Sequence, residues 1–119
     1  MIAVVDDDRL VRNGISSLLR ASGYSATTFD SAHAFTSRLH YSSFCLVIAD
    51  FKMPGMNGIE FLEALRLRDD SVPFILITAL PQADIIKAAE IAGAMACLRK
   101  PFDQSVLLAL VIQAVGQAS

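Results

Sequence analysis

Four short apolar runs in this chain end on polar groups that can do chemistry. Ile2–Val5 leads straight into Asp6, Asp7 and Asp8, and Cys45–Ala49 stops at Asp50. Val72–Thr78 ends on a hydroxyl, and Met95–Arg99 is followed at once by Lys100. Runs of this length suit strands, and Cys45–Ala49 suits one buried on both faces. A loop holding Pro54, Gly55, Asn57 and Gly58 follows Asp50, and a helical pattern then begins at Ile59. Asp50 therefore stands where a buried strand gives way to a loop, the place where open α/β sheets bind ligands. Asp6, Asp7 and Asp50, brought to one sheet edge, would repel, and each would raise the pKa of the others. A cation relieves that cost. Oxygen donors without His or Cys point to a hard divalent ion, and Mg2+ accepts one or two carboxylates with waters and a phosphate oxygen. Beside such an ion the Asp50 carboxylate can attack phosphorus, with Lys100 supplying positive charge and Thr78 a hydroxyl to the phosphoryl oxygens. Taken singly, each residue has a bland reading: Asp50 as a loop cap, Thr78 as a strand end, Lys100 as a solvated charge. One cap suffices for the helix after Asp8, however, and that leaves Asp6 and Asp7 without a structural task.

The elements that must position these groups can be read along the chain. Arg9–Ser22 has the pattern of an amphipathic helix, with Val11, Ile15, Leu18 and Leu19 inward and Arg12, Asn13 and Ser16 outward. Asp8 is its expected N-cap, and Gly23 closes it. Ser25–Phe29 is a weaker strand, and Ser31 caps a short helix through Leu39 that turns Ala34, Phe35 and Leu39 inward. Further helices are expected over Gly58–Leu67, from Pro81 to about Ala92, and over Asp103–Val115, with Asp69, Asp70 and Ser71 as a turn. Strand and helix alternate five times. This predicts an α/β fold, a doubly wound parallel sheet with right-handed crossovers and five helices; the arrangement expected is the flavodoxin-like one, five strands in the order 2-1-3-4-5. In that order the first and third strands adjoin at the switch point, so the three acids converge in one cleft, with Thr78 and Lys100 along its far side.

Bulk properties narrow the class. The 119 residues make one domain, 1–119, with room for a core. An apolar content of 54% with 18% charged residues excludes a disordered chain. The net charge is −2 and the ten Lys and Arg are scattered, so there is no footprint for nucleic acid. No apolar run approaches the ~20 residues of a membrane span. The N-terminus shows no secretory pattern, and a cytoplasmic location is expected. Cys45 and Cys97 fall in apolar runs and are expected as buried thiols; His33 and His40, without ligand-spaced partners, are expected at the surface or as caps.

The segments VVDDD at Val4–Asp8, IADFKMPGMNGIEFL at Ile48–Leu62, ITA at Ile77–Ala79 and LRKPF at Leu98–Phe102 together resemble the receiver domain of a bacterial two-component response regulator, over essentially the whole chain. The resemblance implies that Asp50 is the phosphoacceptor and that a sensor histidine kinase supplies the phosphoryl group. It implies that Asp7 and Asp50 bind Mg2+ directly, that Asp6 acts through water, and that the backbone carbonyl of Lys52 completes the protein ligands. It also implies that Thr78 and Lys100 contact the phosphoryl group and that the Lys100–Pro101 bond is cis. One position departs from the pattern. Receivers usually carry an aromatic residue three positions before the lysine, and here that position is Cys97. A thiol cannot fill the volume of a ring, so any readout must use other side chains.

Rival readings fit less well. An aspartyl-phosphate hydrolase needs a second acid beside its nucleophile, but Phe51 and Lys52 follow Asp50. A flavodoxin-like cofactor binder needs a Ser-, Thr- and Gly-rich phosphate loop after the first strand, and three acids stand there instead. A receiver that binds partners without being phosphorylated would not need the complete acid set. Without a DNA-binding module, the segment is expected to be a single-domain regulator or the front of a longer one. The last helix has no charged residue after Asp103. With Leu107, Val111, Ala114 and Val115 turned inward, Val106, Ala109, Leu110 and Ile112 would form an apolar patch for a homodimer, a kinase docking face or an output domain, on a face shared with the preceding helix and the fifth strand.

Overall fold

The computed structural model describes residues 1–37, 44–68, 70–79 and 82–116. Five strands alternate with five helices: β1 (Ile2–Val5), α1 (Arg9–Ala21), β2 (Ala26–Phe29), α2 (Ala32–Thr36), β3 (Leu46–Asp50), α3 (Gly58–Leu67), β4 (Phe74–Thr78), α4 (Ala83–Ala92), β5 (Ala96–Arg99) and α5 (Gln104–Val115). All strand pairs are parallel, as the alternating pattern predicts, and their order β2-β1-β3-β4-β5 is that of the expected flavodoxin-like sheet.

Strand periodicity sorts the core into two layers, because successive side chains point to opposite faces. Ala3, Val5, Val47, Ala49, Phe74 and Leu76 face one way and pack with Phe35 of α2, Phe61, Leu62 and Leu65 of α3, and Ala89 of α4. Ile2, Val4, Leu46, Ile48, Ile75 and Ile77 face the other way, against Ile15 and Leu19 of α1 and Leu107 and Val111 of α5. β1, β3 and β4 are buried along their whole length, whereas the edge strands β2 and β5 are largely half-buried. That position explains why Thr27 and Thr28 are accommodated in β2.

Helix starts follow local chemistry. Asp8 caps α1 by accepting from the Leu10 and Val11 N–H groups, Ser31 caps α2, and Asp103 caps α5. Asn57 and Glu60 form a reciprocal capping box at the head of α3. Gly23, just past α1, has φ +90, the left-handed turn that ends a helix.

Several expectations need correction. β3 begins one residue later than expected and includes Asp50. Cys45 therefore lies outside the strand beside Met1 and is exposed, not buried; Cys97 is half-buried, and both thiols are free. Ser16 is 4% exposed, and Arg12 is half-buried, so neither belongs to an outward face. α2 ends at Thr36, and the expectations for Leu39, His40, Asp69 and Pro81 lie outside the described residues. His33 is exposed, as expected. Leu110, expected on an open face, is half-buried against the α1-side core.

Candidate functional site

Parallel pairing brings the polar strand ends together. Val5 of β1 is in register with Ala49 of β3, so Asp6 and Asp50 leave the sheet side by side. Asp50 is in register with Ile77, and Thr78 with Arg99, which sets Thr78 and Lys100 on the same rim. Backbone hydrogen bonds continue past the ladders. Phe51 N–H donates to the Ile77 carbonyl at 2.7 Å, and Lys100 N–H to the Thr78 carbonyl at 2.9 Å.

The start of α3 presses directly on this rim. A Cβ added at Gly58 would lie 2.5 Å from the Asp50 carbonyl oxygen and 2.5 Å from Leu76 Cδ1. Only glycine lets the helix approach so closely. Its N–H donates to the Phe51 carbonyl at 2.8 Å, which ties the loop carrying Lys52 and Met53 closed at both ends.

Asp6, Asp7 and Asp50 each offer a carboxylate oxygen within 4.8 Å of the others. Asp6 and Asp50 are buried and Asp7 is exposed. Lys100 Nζ lies 3.1 Å from Asp6 Oδ2 and 3.1 Å from Asp50 Oδ1, bridging two of the three acids. The cis Lys100–Pro101 bond follows immediately. Lys100 also lines a cavity of about 470 Å³ together with Val11, Ile15, Leu18 and Phe102. Thr78, 2% exposed, stands at the end of β4. Lys52, two residues past Asp50, has an exposed side chain.

Electrostatics follow from this packing. Burial pushes the Asp50 carboxyl above its ordinary pKa, the Asp6 charge pushes it further, and Lys100 offsets part of the rise. Burial alone would lower the Lys100 pKa, but its hydrogen bonds to Asp50 and Asp6 and their charges outweigh that and hold it protonated. Three carboxylates against one ammonium leave an excess of negative charge at the mouth of the site. A hard divalent cation suits such an all-oxygen donor set. The arrangement can present a carboxylate nucleophile beside a cation site, with an ammonium and a hydroxyl on the same rim, the set that phosphoryl transfer to an aspartate requires.

Two contributors were not among the expected site residues. Gly58 carries only a turn and helix-start signal in the sequence. Helical periodicity puts Arg12 on the outward face of α1, yet its Nη1 donates to the Asp6 carbonyl at 2.9 Å. The Asp-rich turn six residues upstream was the available signal, since an arginine one turn into the following helix can reach back to it.

The family model for the response regulator receiver domain matches residues 2–112. The transcriptional regulatory protein FixJ of Bradyrhizobium diazoefficiens is 35% identical over 98% of this chain and 57% of its own length. The response regulator protein FleR of Pseudomonas aeruginosa is 38% identical over 98% of this chain and 25% of its own length. The chain thus spans about half, or less, of these relatives. Among solved structures, the chemotaxis protein CheY4 of Vibrio cholerae superposes with a TM-score of 0.87 at 26% identity, covering 95% of this chain and 96% of that one. Full-length FixJ from B. japonicum superposes with a TM-score of 0.88 at 35% identity, covering 99% of this chain and 58% of that one. With the fold, the strand-end residues and the sequence match in agreement over residues 2–112, the chain belongs to the response regulator receiver domain family.

Proposed function

We propose that Asp50 is the phosphoacceptor of a receiver domain comprising residues 1–119, and that a sensor histidine kinase is its donor. The observation that carries this reading is the Lys100 ammonium 3.1 Å from both Asp6 and Asp50, inside a cluster of three carboxylates. An Asp50 carboxylate oxygen attacks the phosphorus as the bond from phosphorus to the donor's imidazole nitrogen breaks, and the departing imidazole takes a proton from solvent. Lys100 and Thr78 receive the phosphoryl oxygens. Asp7 and Asp50 would hold Mg2+ directly, Asp6 through water, and the Lys52 carbonyl supplies a further oxygen. The ion would offset the acid charge that otherwise repels an incoming phosphoryl group.

The domain acts on itself and does not turn over external substrates, because no second acid follows Asp50 to serve as general acid–base. The output is a change in what the α4–β5–α5 face binds: a second copy, or an output domain. Cys97 replaces the usual aromatic in β5, so this readout relies on other side chains. Neither nucleic acid nor a membrane is a partner of this segment; among the described residues no helix is long and apolar enough to cross a membrane. We place the domain in the cytoplasm, where its kinase donor would act.

Incubation with acetyl phosphate and Mg2+, read by intact mass, tests the reading. One added phosphoryl group per chain is expected, lost when EDTA is present. Multiple turnovers on a phosphate monoester would instead favour a hydrolase.

A further inference from the structure

Asp7 is the exposed member of the acid cluster, and among the described residues no hydrogen bond or ion pair holds its carboxylate. Asp6 is held at every polar group. Its N–H donates to the Phe29 carbonyl at 3.0 Å, its Oδ1 accepts from the Asp8 N–H at 2.9 Å, and its Oδ2 meets Lys100. The direction of Asp7 is therefore set by the backbone, through the peptide group that joins it to Asp6. The oxygen of that peptide group is the Asp6 carbonyl, which accepts from Arg12 Nη1. The β1 ladders stop at Val5 on both sides, and Asp6 is 2% exposed, so neither a neighbouring strand nor open solvent supplies a donor in its place. Arg12 forms no ion pair among the described residues, although three carboxylates lie on the loop end it reaches.

We infer that Arg12 is a positioning residue for the acid cluster. Its guanidinium fixes the plane of the Asp6–Asp7 peptide group and thereby aims the Asp7 carboxylate at the cation that Asp7 and Asp50 would share. This rests on the metal-binding reading given above. Two physical pictures of Arg12 predict opposite signs. If only its charge mattered, a guanidinium near the cluster would oppose a bound cation, and removing it would tighten Mg2+ binding. If it orients Asp7, removing it loosens a ligand and weakens binding, as outer partners of metal ligands generally do.

Calorimetric titration of the metal-free protein with Mg2+ separates these pictures, with thermal unfolding in EDTA as the structural control. Arg12→Met, which keeps an unbranched stem but no donor, is expected to weaken Mg2+ affinity by about tenfold. Arg12→Lys keeps the charge but replaces a planar fork with a single mobile ammonium, and an intermediate, few-fold weakening is expected. Equal or tighter Mg2+ binding by Arg12→Met would overturn the inference, as would a lower Tm with an unchanged Kd. Should Arg12→Met fail to fold, Arg12→Lys decides: a wild-type Kd contradicts positioning, and a weakened one supports it. Wild-type protein that takes up no Mg2+ would remove the metal reading and this inference together, whereas loss of only the Arg12 effect leaves the metal reading standing.

Discussion

Lys100 Nζ sits 3.1 Å from Asp50 Oδ1 and touches Asp6 at the same distance, so an ammonium occupies the acid cluster from the β5 side. It neutralises part of the repulsion that would otherwise oppose packing two buried carboxylates at adjacent strand ends. In the proposed reading the same ammonium would also receive the phosphoryl oxygens.

Replacing it separates these roles. Lys100→Ala should bind Mg2+ at least as tightly as wild type, because a cation that competes for Asp6 and Asp50 is gone. Its rate of phosphorylation should fall by about a hundredfold through loss of a charge-stabilising contact. Calorimetry with Mg2+ and mass-detected labelling by acetyl phosphate measure the two effects on one sample. A large loss of Mg2+ affinity would instead mean that Lys100 holds the acids in place.

Asp50 also makes a stability prediction. Its folded pKa is raised above the ordinary 3.8, first by burial and then by Asp6. The stability associated with its protonated form is fully present below the unfolded pKa and is lost as pH rises through the folded value. Ionised Asp50 therefore costs stability at neutral pH when no divalent ion is bound. Asp50→Asn should raise Tm at neutral pH in EDTA by a few degrees, and the gain should shrink as pH falls through the raised folded value and vanish below 3.8, where the carboxyl is protonated in both states. Thermal unfolding followed by circular dichroism across that range checks the sign; a lower Tm at neutral pH would contradict it.

Gly58 makes a packing prediction. A methyl group there meets the backbone oxygen of Asp50, which cannot yield as a flexible side chain would. Gly58→Ala should destabilise the fold by about 1–3 kcal/mol and slow phosphorylation by displacing the Asp50 loop. Urea unfolding gives the first quantity and acetyl phosphate labelling the second. Wild-type values for both would show that α3 can retreat without moving the loop.

The outer face of α5 concerns partners. Val106 and Ile112 are 46% and 44% exposed, and the helix carries no charged residue. Association through this face should be apolar and therefore nearly independent of salt, because there are no ion pairs to screen. Sedimentation of wild type and Ile112→Glu at low and high salt, with and without a phosphoryl mimic, tests this. Self-association that salt dissolves, or that Ile112→Glu leaves intact, would exclude the face.

Much of this architecture was legible in the sequence because the signals were local. Short apolar runs, ended by Asp6, Asp50 and Thr78 and spaced by helical patterns, suffice to predict a parallel sheet, and the flavodoxin-like order of such a sheet brings the acids together. What was not legible depends on depth and reach. Periodicity put Arg12 and Ser16 on the polar side of α1, but a long guanidinium can turn back to the end of β1, and a small hydroxyl can be buried without loss of packing. Cys45 looked like the first residue of a buried strand, yet β3 begins one residue later, and that shift leaves the thiol exposed. Gly58 carried a turn signal, while its real constraint is the approach of α3 to Asp50, which no local pattern encodes. Lys100 was expected along the far side of the cleft and instead sits between two of the acids.

The most direct test is to locate the phosphoryl group. Wild-type protein is labelled with acetyl phosphate in Mg2+ and reduced at once with borohydride, which converts an aspartyl phosphate to homoserine; peptides are then sequenced by mass spectrometry. The expected result is homoserine at position 50 alone, with none formed in Asp50→Asn or in EDTA. Homoserine at position 6 or 7 in wild type, or labelling of Asp50→Asn at equal yield, would contradict the assignment of Asp50 as phosphoacceptor.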